Sequence, residues 1–291
     1  MRKIGGSSLG TDGKKVLLVY TILRDEERII DSALTKRGIK VEKVLGNKTL
    51  WELGSRIGEF SLAINRTLSA SQATYISFLL EGQGIRVINP FRTLIICNDK
   101  ALTTELLAKE GLPVPRTYLA FSPEKAFEAL DRVGYPAVVK PVNGSWGRLL
   151  AKVNDRDTAE AIISYRWNLG GIHQKAFYVQ EYVNKPGRDI RVLVIGGKVR
   201  YAVYRNSSHW VTNTARGARA TPCPISEEIK RICERVASIV GGDFIALDLF
   251  ESERGVLVNE VNSTPEFARS SRDVGVDVGK LIADFVEEVL S

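Results

Sequence analysis

Residues 244–262, FIALDLF-ESERG-VLVNEVN, constrain this chain more than any other stretch. Two apolar runs flank a short polar turn that ends in Gly255, the pattern of an antiparallel hairpin. Asp248 sits inside the first run, and Glu260 and Asn262 sit in the second half of the other. Residues two apart share one face of a strand, and pairing the two strands lets all three side chains share it. A carboxylate in such an apolar setting is costly unless something positive meets it. Two carboxylates about 4 Å apart repel by roughly 4 kcal/mol at an effective dielectric near 20. They persist if protonated or if a cation joins them. Oxygen ligands without His or Cys select a hard ion, and Mg2+ is the usual one where phosphates share the site. A hairpin end facing solvent is the plainer alternative.

Composition narrows the class. The 291 residues are 44% hydrophobic and 26% charged, enough for one large domain or a few small ones. Cys97, Cys223 and Cys233 have no CxxC spacing and cannot all pair, so a disulfide framework or zinc site is disfavoured and a reducing cytoplasm fits better. No apolar run reaches the roughly 18 residues that span a bilayer. The opening MRKIGGSSLGTDGKK has no apolar core and reads as a flexible extension over residues 1–15, not a signal peptide. Net charge is +7, which favours a polyanionic or acidic partner over ordinary solubility charge only if motifs agree.

The periodicities predict three successive units. VLLVY (16–20), IKVEKVL, SLAINR and IRVIN read as strands, with helices over RDEERIIDSALTKRG and SASQATYISFLLEGQG. That alternation predicts a parallel α/β domain over 16–97, its last strand ending near Pro90. It has no GxGxxG after its first strand, so a dinucleotide site there is disfavoured. A central lobe over 98–176 opens with a helix at 99–110 capped by Asn98 or Asp99. It continues with GLPVPRTYLAF, a helix capped by Ser122 with Pro123 in its first turn, the strand YPAVVKPV, the strand AKVN and a helix over DRDTAEAIISYRW. A C-terminal lobe over 177–291 holds FYVQEYV, a hairpin around Gly196-Gly197, an irregular stretch to 224, the helix SEEIKRICERVASIVG, the acidic hairpin and a closing helix.

Other candidate site residues carry weaker signals. Lys140 ends an apolar strand before Pro141, so its ammonium must reach water or an anion. The NGSWGRLL loop that follows carries Gly144 and Gly147 around Ser145 and Trp146, and such turns aim backbone N–H groups at phosphates. Lys100 lies in the first turn of a helix, where anions are favoured; a solvated lysine is the alternative. Arg188, Asp189, Arg191, Arg205, Asn213, Arg216 and Arg219 cluster in sequence near the acidic hairpin and suit a phosphate with a carboxylate. The same arginines could be a basic rim, but they are not interleaved with stacking aromatics, which argues against nucleic acid. His173 and His209 stand too far apart for a triad or zinc site, and neither GxSxG nor HExxH occurs.

Taken in order, Lys100, Lys140 with its GSWG loop, QEYV, DIR and the Asp248…Glu260-Val261-Asn262 set resemble the ATP-grasp ligases. The chain is similar to the branch containing the ribosomal-protein S6 glutamate ligase. KPVNGSWGRLLAKVND and NEVN-x-T-x-EF look like the ligases of carrier-protein-based lysine and arginine biosynthesis. The resemblance covers about residues 16–290. It implies an α/β and α+β architecture: an N-terminal pre-ATP-grasp α/β domain, then two lobes holding ATP.

The same resemblance assigns roles. Lys100 and Lys140 would contact ATP phosphates, with Gly144, Ser145, Trp146, Gly147, Arg148, Leu149 and Leu150 as a lid. Gln180, Glu181, Tyr182 and Val183 would hold adenine, Asp189 and Arg191 would complete the ribose and phosphate contacts, and Asn213 would assist. Asp248, Glu260 and Asn262 would bind two Mg2+ ions. Arg205, Thr214, Ala215, Glu266, Phe267, Ala268, Arg269 and Ser270 would bind the amino-acid substrate. The implied reaction joins the C-terminal glutamate of a small acidic amino-group carrier protein to the amine of 2-aminoadipate or glutamate, through an acylphosphate, in a cytoplasmic homodimer or homotetramer. Arg269-Ser270 departs from both family patterns, Asn-Ser/Thr for aminoadipate and Gly-Phe for glutamate, so use of both substrates is an open expectation. A relative adding glutamate to a ribosomal protein or a cofactor is the alternative reading.

Overall fold

The computed structural model describes residues 14–144, 149–171, 174–212 and 219–291. They divide into two compact units, residues 14–91 with 266–291, and residues 92–265.

The first unit is a parallel sheet in the order β2 (Lys40–Leu45), β1 (Lys15–Tyr20), β3 (Leu62–Arg66), β4 (Arg86–Ile88). Its central strands β1 and β3 are almost wholly buried, which is why they read as unbroken apolar runs. Edge strand β2 is instead exposed or half-buried throughout. Crossovers run through α1 (Asp25–Lys36) and α2 (Ala70–Glu81). Leu17, Val19, Ala63, Ile76, Leu80 and Val87 form one core cluster.

Two C-terminal helices, α8 (Ala268–Asp273) and α9 (Val278–Leu290), belong to this unit. The sequence pattern places 177–291 in a single lobe, whereas here α9 packs on α1. The contact is close: a side chain at Gly279 would put its Cβ 2.9 Å from Ile29 Cγ2. Periodicity shows that α9 has an apolar stripe but not which surface receives it.

The second unit begins with α3 (Phe91–Asn98), whose Thr93 hydroxyl donates to the carbonyls of Val240 and Gly241. Asp99 then caps α4 (Lys100–Lys109) by accepting from the Ala101 and Leu102 N–H groups. β5 (Thr117–Ala120), α5 (Pro123–Val133), β6 (Ala137–Lys140), β7 (Ala151–Val153), α6 (Arg156–Leu169) and β8 (Phe177–Glu181) follow. Their antiparallel sheet has the order β5-β8-β6-β7, and Leu130, Val139, Ile163 and Phe177 meet in its core.

A second antiparallel sheet has the order β11-β10-β9-β12-β13. Its strands are β9 (Arg188–Ile195), β10 (Lys198–Asn206), β11 (Arg219–Pro222), β12 (Phe244–Ser252) and β13 (Gly255–Asn262). The helix α7 (Glu227–Val240) covers one face through Ile232, Val236 and Val240, packed with Val192, Val194 and Leu247. Gly196 and Gly197 both take positive φ in the β9–β10 turn, the conformation that a two-residue hairpin needs. Three elements escape the sequence reading: α3, α8 and β11. α3 and α8 have only 8 and 6 residues, and β11 is an edge strand ending in a proline, which periodicity cannot distinguish from loop.

Candidate active site

The β12–β13 hairpin sets Asp248 directly opposite Glu260, and Ala246 opposite Asn262. The register then slips, so that Leu249 faces Val258 and Asn259 is an extra residue on β13. Val256, Val258 and Val261 all join the core on the α7 side. Strict two-residue alternation would have sent Glu260 and Asn262 to that side. The bulge changes the phase, and the two acceptors emerge on the opposite face with Asp248.

A cleft in the second unit is lined by Lys140, Leu150, Gln180, Glu181, Tyr182, Val183, Asp189, Arg205, Asp248 and Glu260, all anticipated from sequence. Val138, Lys185, Trp210, Val211, Thr212, Phe250 and Asn259 complete it. Tyr182 and Trp210, whose rings are 6.5 Å apart, give the cleft aromatic surface alongside its charged groups. Such a pairing of aromatic walls with convergent polar groups is typical of nucleotide pockets.

Each carboxylate in the cleft has its own cation. Arg191 Nε and Nη2 donate to the two Asp248 oxygens at 2.8 and 2.9 Å. Arg205 donates to both oxygens of Asp189 at 2.7 and 2.6 Å, and its Nη2 lies 3.0 Å from Asp248 Oδ2. Thr212 also donates to Asp189, at 2.5 Å, and receives a hydrogen bond from Lys185 Nζ at 2.8 Å. Glu260 pairs with Lys100 at 3.2 Å, and Lys100 donates to the Gly144 carbonyl. Lys140 donates to Asn259 Oδ1 at 2.8 Å.

Burial alone would raise the Asp248 carboxyl, but the Arg191 and Arg205 guanidiniums hold it well below the usual carboxylate range. Burial pulls the Lys140 ammonium down to about 7, with Glu260 opposing and Lys100 and Lys185 reinforcing. Five cationic side chains (Lys100, Lys140, Lys185, Arg191, Arg205) thus meet Asp189, Asp248 and Glu260, and the fourth carboxylate of the cleft, Glu181, pairs with Arg254. The excess favours a polyanion. Arg205 is only 2% exposed, yet its Nη1 has no hydrogen-bond partner among the described residues. A buried, unsatisfied guanidinium donor in a cleft wall is costly unless an anion completes it.

The residues present fit a hard divalent cation. Among the described residues no group of three or more His, Cys, Asp or Glu side chains gathers at one point, so any metal must rely on amide, phosphate or water oxygens. Asn262 supplies the amide: its Nδ2 is buried without a partner among the described residues, and turning the amide over puts an oxygen there. Asp248 accepts three hydrogen bonds, which leaves one of about four lone-pair directions. Glu260 is half-buried at the mouth.

Other sequence candidates fall differently. Gln180 is buried in β8 and donates to Tyr178 and Thr117, while Tyr182 and Val183 continue past the strand end. Leu149 is exposed with a positive φ, and its carbonyl accepts from Arg166. Ser145, Trp146, Gly147, Arg148, Asn213, Thr214 and Ala215 lie outside the described residues. Glu266 to Ser270 lie in the first unit. There Glu26 accepts from the Phe267 and Ala268 N–H groups at 3.3 and 3.1 Å, and Arg24 donates to Glu266 at 3.2 Å. Phe267 and Ser270 are buried, and Arg269 is exposed. Sequence reasoning missed Lys185, Thr212 and Asn259. Lys185 stands in an Asn-Lys-Pro-Gly turn that reads as solvent-facing, and only the apolar phase shift Val256-Val258-Val261 hints at Asn259.

Two antiparallel sheets enclosing a cationic cleft, with a separate parallel α/β unit in the chain, describe an ATP-grasp enzyme. The chain belongs to the RimK-like ATP-grasp family: that domain model matches residues 97–286, and a LysX preATP-grasp domain model matches residues 16–96. It is an ATP-dependent ligase of that type. An alpha-aminoadipate–LysW ligase LysX from Saccharolobus solfataricus is 42% identical over 229 residues, 78% of this chain and 83% of that protein. A glutamate–LysW ligase ArgX from Sulfolobus acidocaldarius is 33% identical over 276 residues, 94% and 98% of the two chains. The crystal structure of a RimK domain ATP-grasp protein from Sphaerobacter thermophilus superposes with a TM-score of 0.80 at 28% identity, covering 93% of this chain and 98% of that one. Among the described residues no helix is long and apolar enough to cross a membrane.

Proposed function

We propose that this ligase joins the C-terminal glutamate of a small acidic carrier protein to the amine of 2-aminoadipate or glutamate, consuming ATP. The observation that carries this reading is similarity along most of the chain to relatives named for both reactions, together with a cleft lined by the buried cations Lys140 and Arg205.

In this reading the strand end at Glu181, with the backbone of Tyr182 and Val183, receives adenine against Trp210. Lys100, Lys140 and Arg191 meet phosphate oxygens. Asp248, Glu260 and Asn262 would hold Mg2+, as two ions, which would neutralise phosphate charge. The carrier carboxylate attacks the γ-phosphorus; the bond from that phosphorus to the bridging oxygen breaks, and ADP leaves. The neutral amine then attacks the acyl carbon, inorganic phosphate departs and the amine loses its proton. Lys140 and Arg205 stabilise charge on the transferred phosphoryl group and the acyl oxygen, because both are buried cations whose remaining donors face the cleft. Arg205 engages the amino-acid substrate. No side-chain nucleophile is required, so positioning and charge neutralisation carry the catalysis. Cytoplasmic residence and assembly as a homodimer or homotetramer belong to the same reading.

Incubation with ATP, Mg2+, purified carrier and each amino acid, followed by intact-mass measurement of the carrier, tests the proposal. A mass gain of one amino-acid residue is expected. An unmodified carrier alongside a glutamylated ribosomal protein or cofactor would transfer the assignment to that branch of the family.

A further inference from the structure

The bulge in β13 has a second consequence besides the phase of the strand. Asn259 is the inserted residue, and it lines the same cleft as its neighbour Glu260. Its Oδ1 accepts a hydrogen bond from Lys140 Nζ at 2.8 Å, across 119 residues of sequence. Lys140 is 6% exposed at the end of β6, and its ammonium lies 5.7 Å from the centre of the Tyr178 ring. The two carboxylates nearest in the hairpin are already engaged, Glu260 by Lys100 and Asp248 by Arg191 and Arg205.

We propose that Asn259 is a positioning residue that aims the Lys140 ammonium at the nucleotide's phosphates. An ammonium has three donors and no preferred fork, so a lysine at the end of a four-carbon stem needs a fixed acceptor to hold a direction. A neutral amide takes one donor and leaves the positive charge and two donors for an anion. A carboxylate at 259 would hold Lys140 equally well but cancel the charge that the phosphates need. An apolar residue would leave a buried ammonium donor unmet, and Lys140 would turn toward Glu260 and compete with Lys100. Insertion by a bulge is what makes this possible. In an unbroken ladder residue 259 would lie on the face opposite Glu260, and no residue of β13 could serve both as an acceptor for Lys140 and as the neighbour of Glu260.

The inference deepens the proposed nucleotide site and rests on Lys140 meeting phosphate. Its test uses the full chain with Mg2+, titrated with ATP and separately with AMP by calorimetry. Asn259→Leu should weaken ATP binding about tenfold or more while leaving AMP affinity within about twofold, because AMP lacks the phosphates that Lys140 would reach. Asn259→Ser, whose shorter hydroxyl is still an acceptor, should lie between wild type and Asn259→Leu, and it carries the same comparison if the leucine variant does not fold. Wild-type affinity for ATP in the variants would overturn the inference, as would equal losses for ATP and AMP, which mark a merely structural residue. A wild-type chain that binds neither nucleotide would remove the nucleotide site itself, and the inference with it.

Discussion

Asp248 and Glu260 face each other across β12 and β13, yet they share no cation: Asp248 is held by Arg191 and Arg205, and Glu260 by Lys100. The repulsion expected of two facing carboxylates is met by separate partners drawn from β9, β10 and α4.

Arg205 is the most exposed point of that arrangement energetically, although it is buried. Replacing it with Met leaves Asp189 with Thr212 alone and removes one of the two guanidiniums on Asp248. Breaking a buried ion pair from one side typically costs about 3–5 kcal/mol. Chemical denaturation of Arg205→Met should show a loss of that size. A loss under about 1 kcal/mol would contradict the buried network.

Lys140 gives a pH signature. Its folded value of about 7 lies below the ordinary 10.5, so between these limits the unfolded chain binds more protons. This group therefore makes the free protein more stable as pH rises through that window. Bound phosphates favour the charged form, so ATP binding at about pH 8.5 should take up close to one proton, and at about pH 6 close to none. Titration calorimetry in buffers of different ionisation enthalpy measures this. Equal uptake in Lys140→Met would assign the proton to another group.

The first unit carries its own buried acid. Burial alone would raise the Glu27 carboxyl, but its hydrogen bonds from Arg24 and the charge of Arg66 hold it below its ordinary 4.5. A depressed acid stabilises the fold above the unfolded-state value and loses that contribution as pH falls through the folded one. Glu27→Gln should lower the urea midpoint at neutral pH and flatten its decline between about pH 5 and pH 3. An unchanged acid limb would refute the assignment.

Arg269 and Ser270 match neither pattern of the two ligase types. Glutamate and 2-aminoadipate differ by one methylene, which binding alone discriminates by about 1–3 kcal/mol, or roughly 10- to 200-fold. Values of kcat/KM for the two should fall within about 200-fold of each other. A ratio of several orders of magnitude would exclude dual use.

Much of this molecule was legible because its information is local. The strands of the first unit, the cap at Ser122 and the hairpin that pairs Asp248 with Glu260 follow from alternation and turn chemistry. The assignment of α9 was not legible, because an apolar stripe does not name its partner. Nor were the individual ion pairs: a run of arginines shows an electropositive site, but only three-dimensional register shows that Arg191 takes Asp248 and Arg205 takes Asp189. Asn259 was least visible, since a one-residue slip in a ladder leaves only an apolar phase change in the sequence.

On the proposed reading, Asp248, Glu260 and Asn262 would hold the divalent cation that ATP use requires. Mg2+-dependent ADP release, measured with carrier and amino acid in wild type and in Glu260→Gln, tests it most directly. The account predicts saturable Mg2+ dependence in the wild type and at least about a thousandfold lower turnover in a variant that still folds. Wild-type turnover at the same Mg2+ concentrations in Glu260→Gln would contradict it.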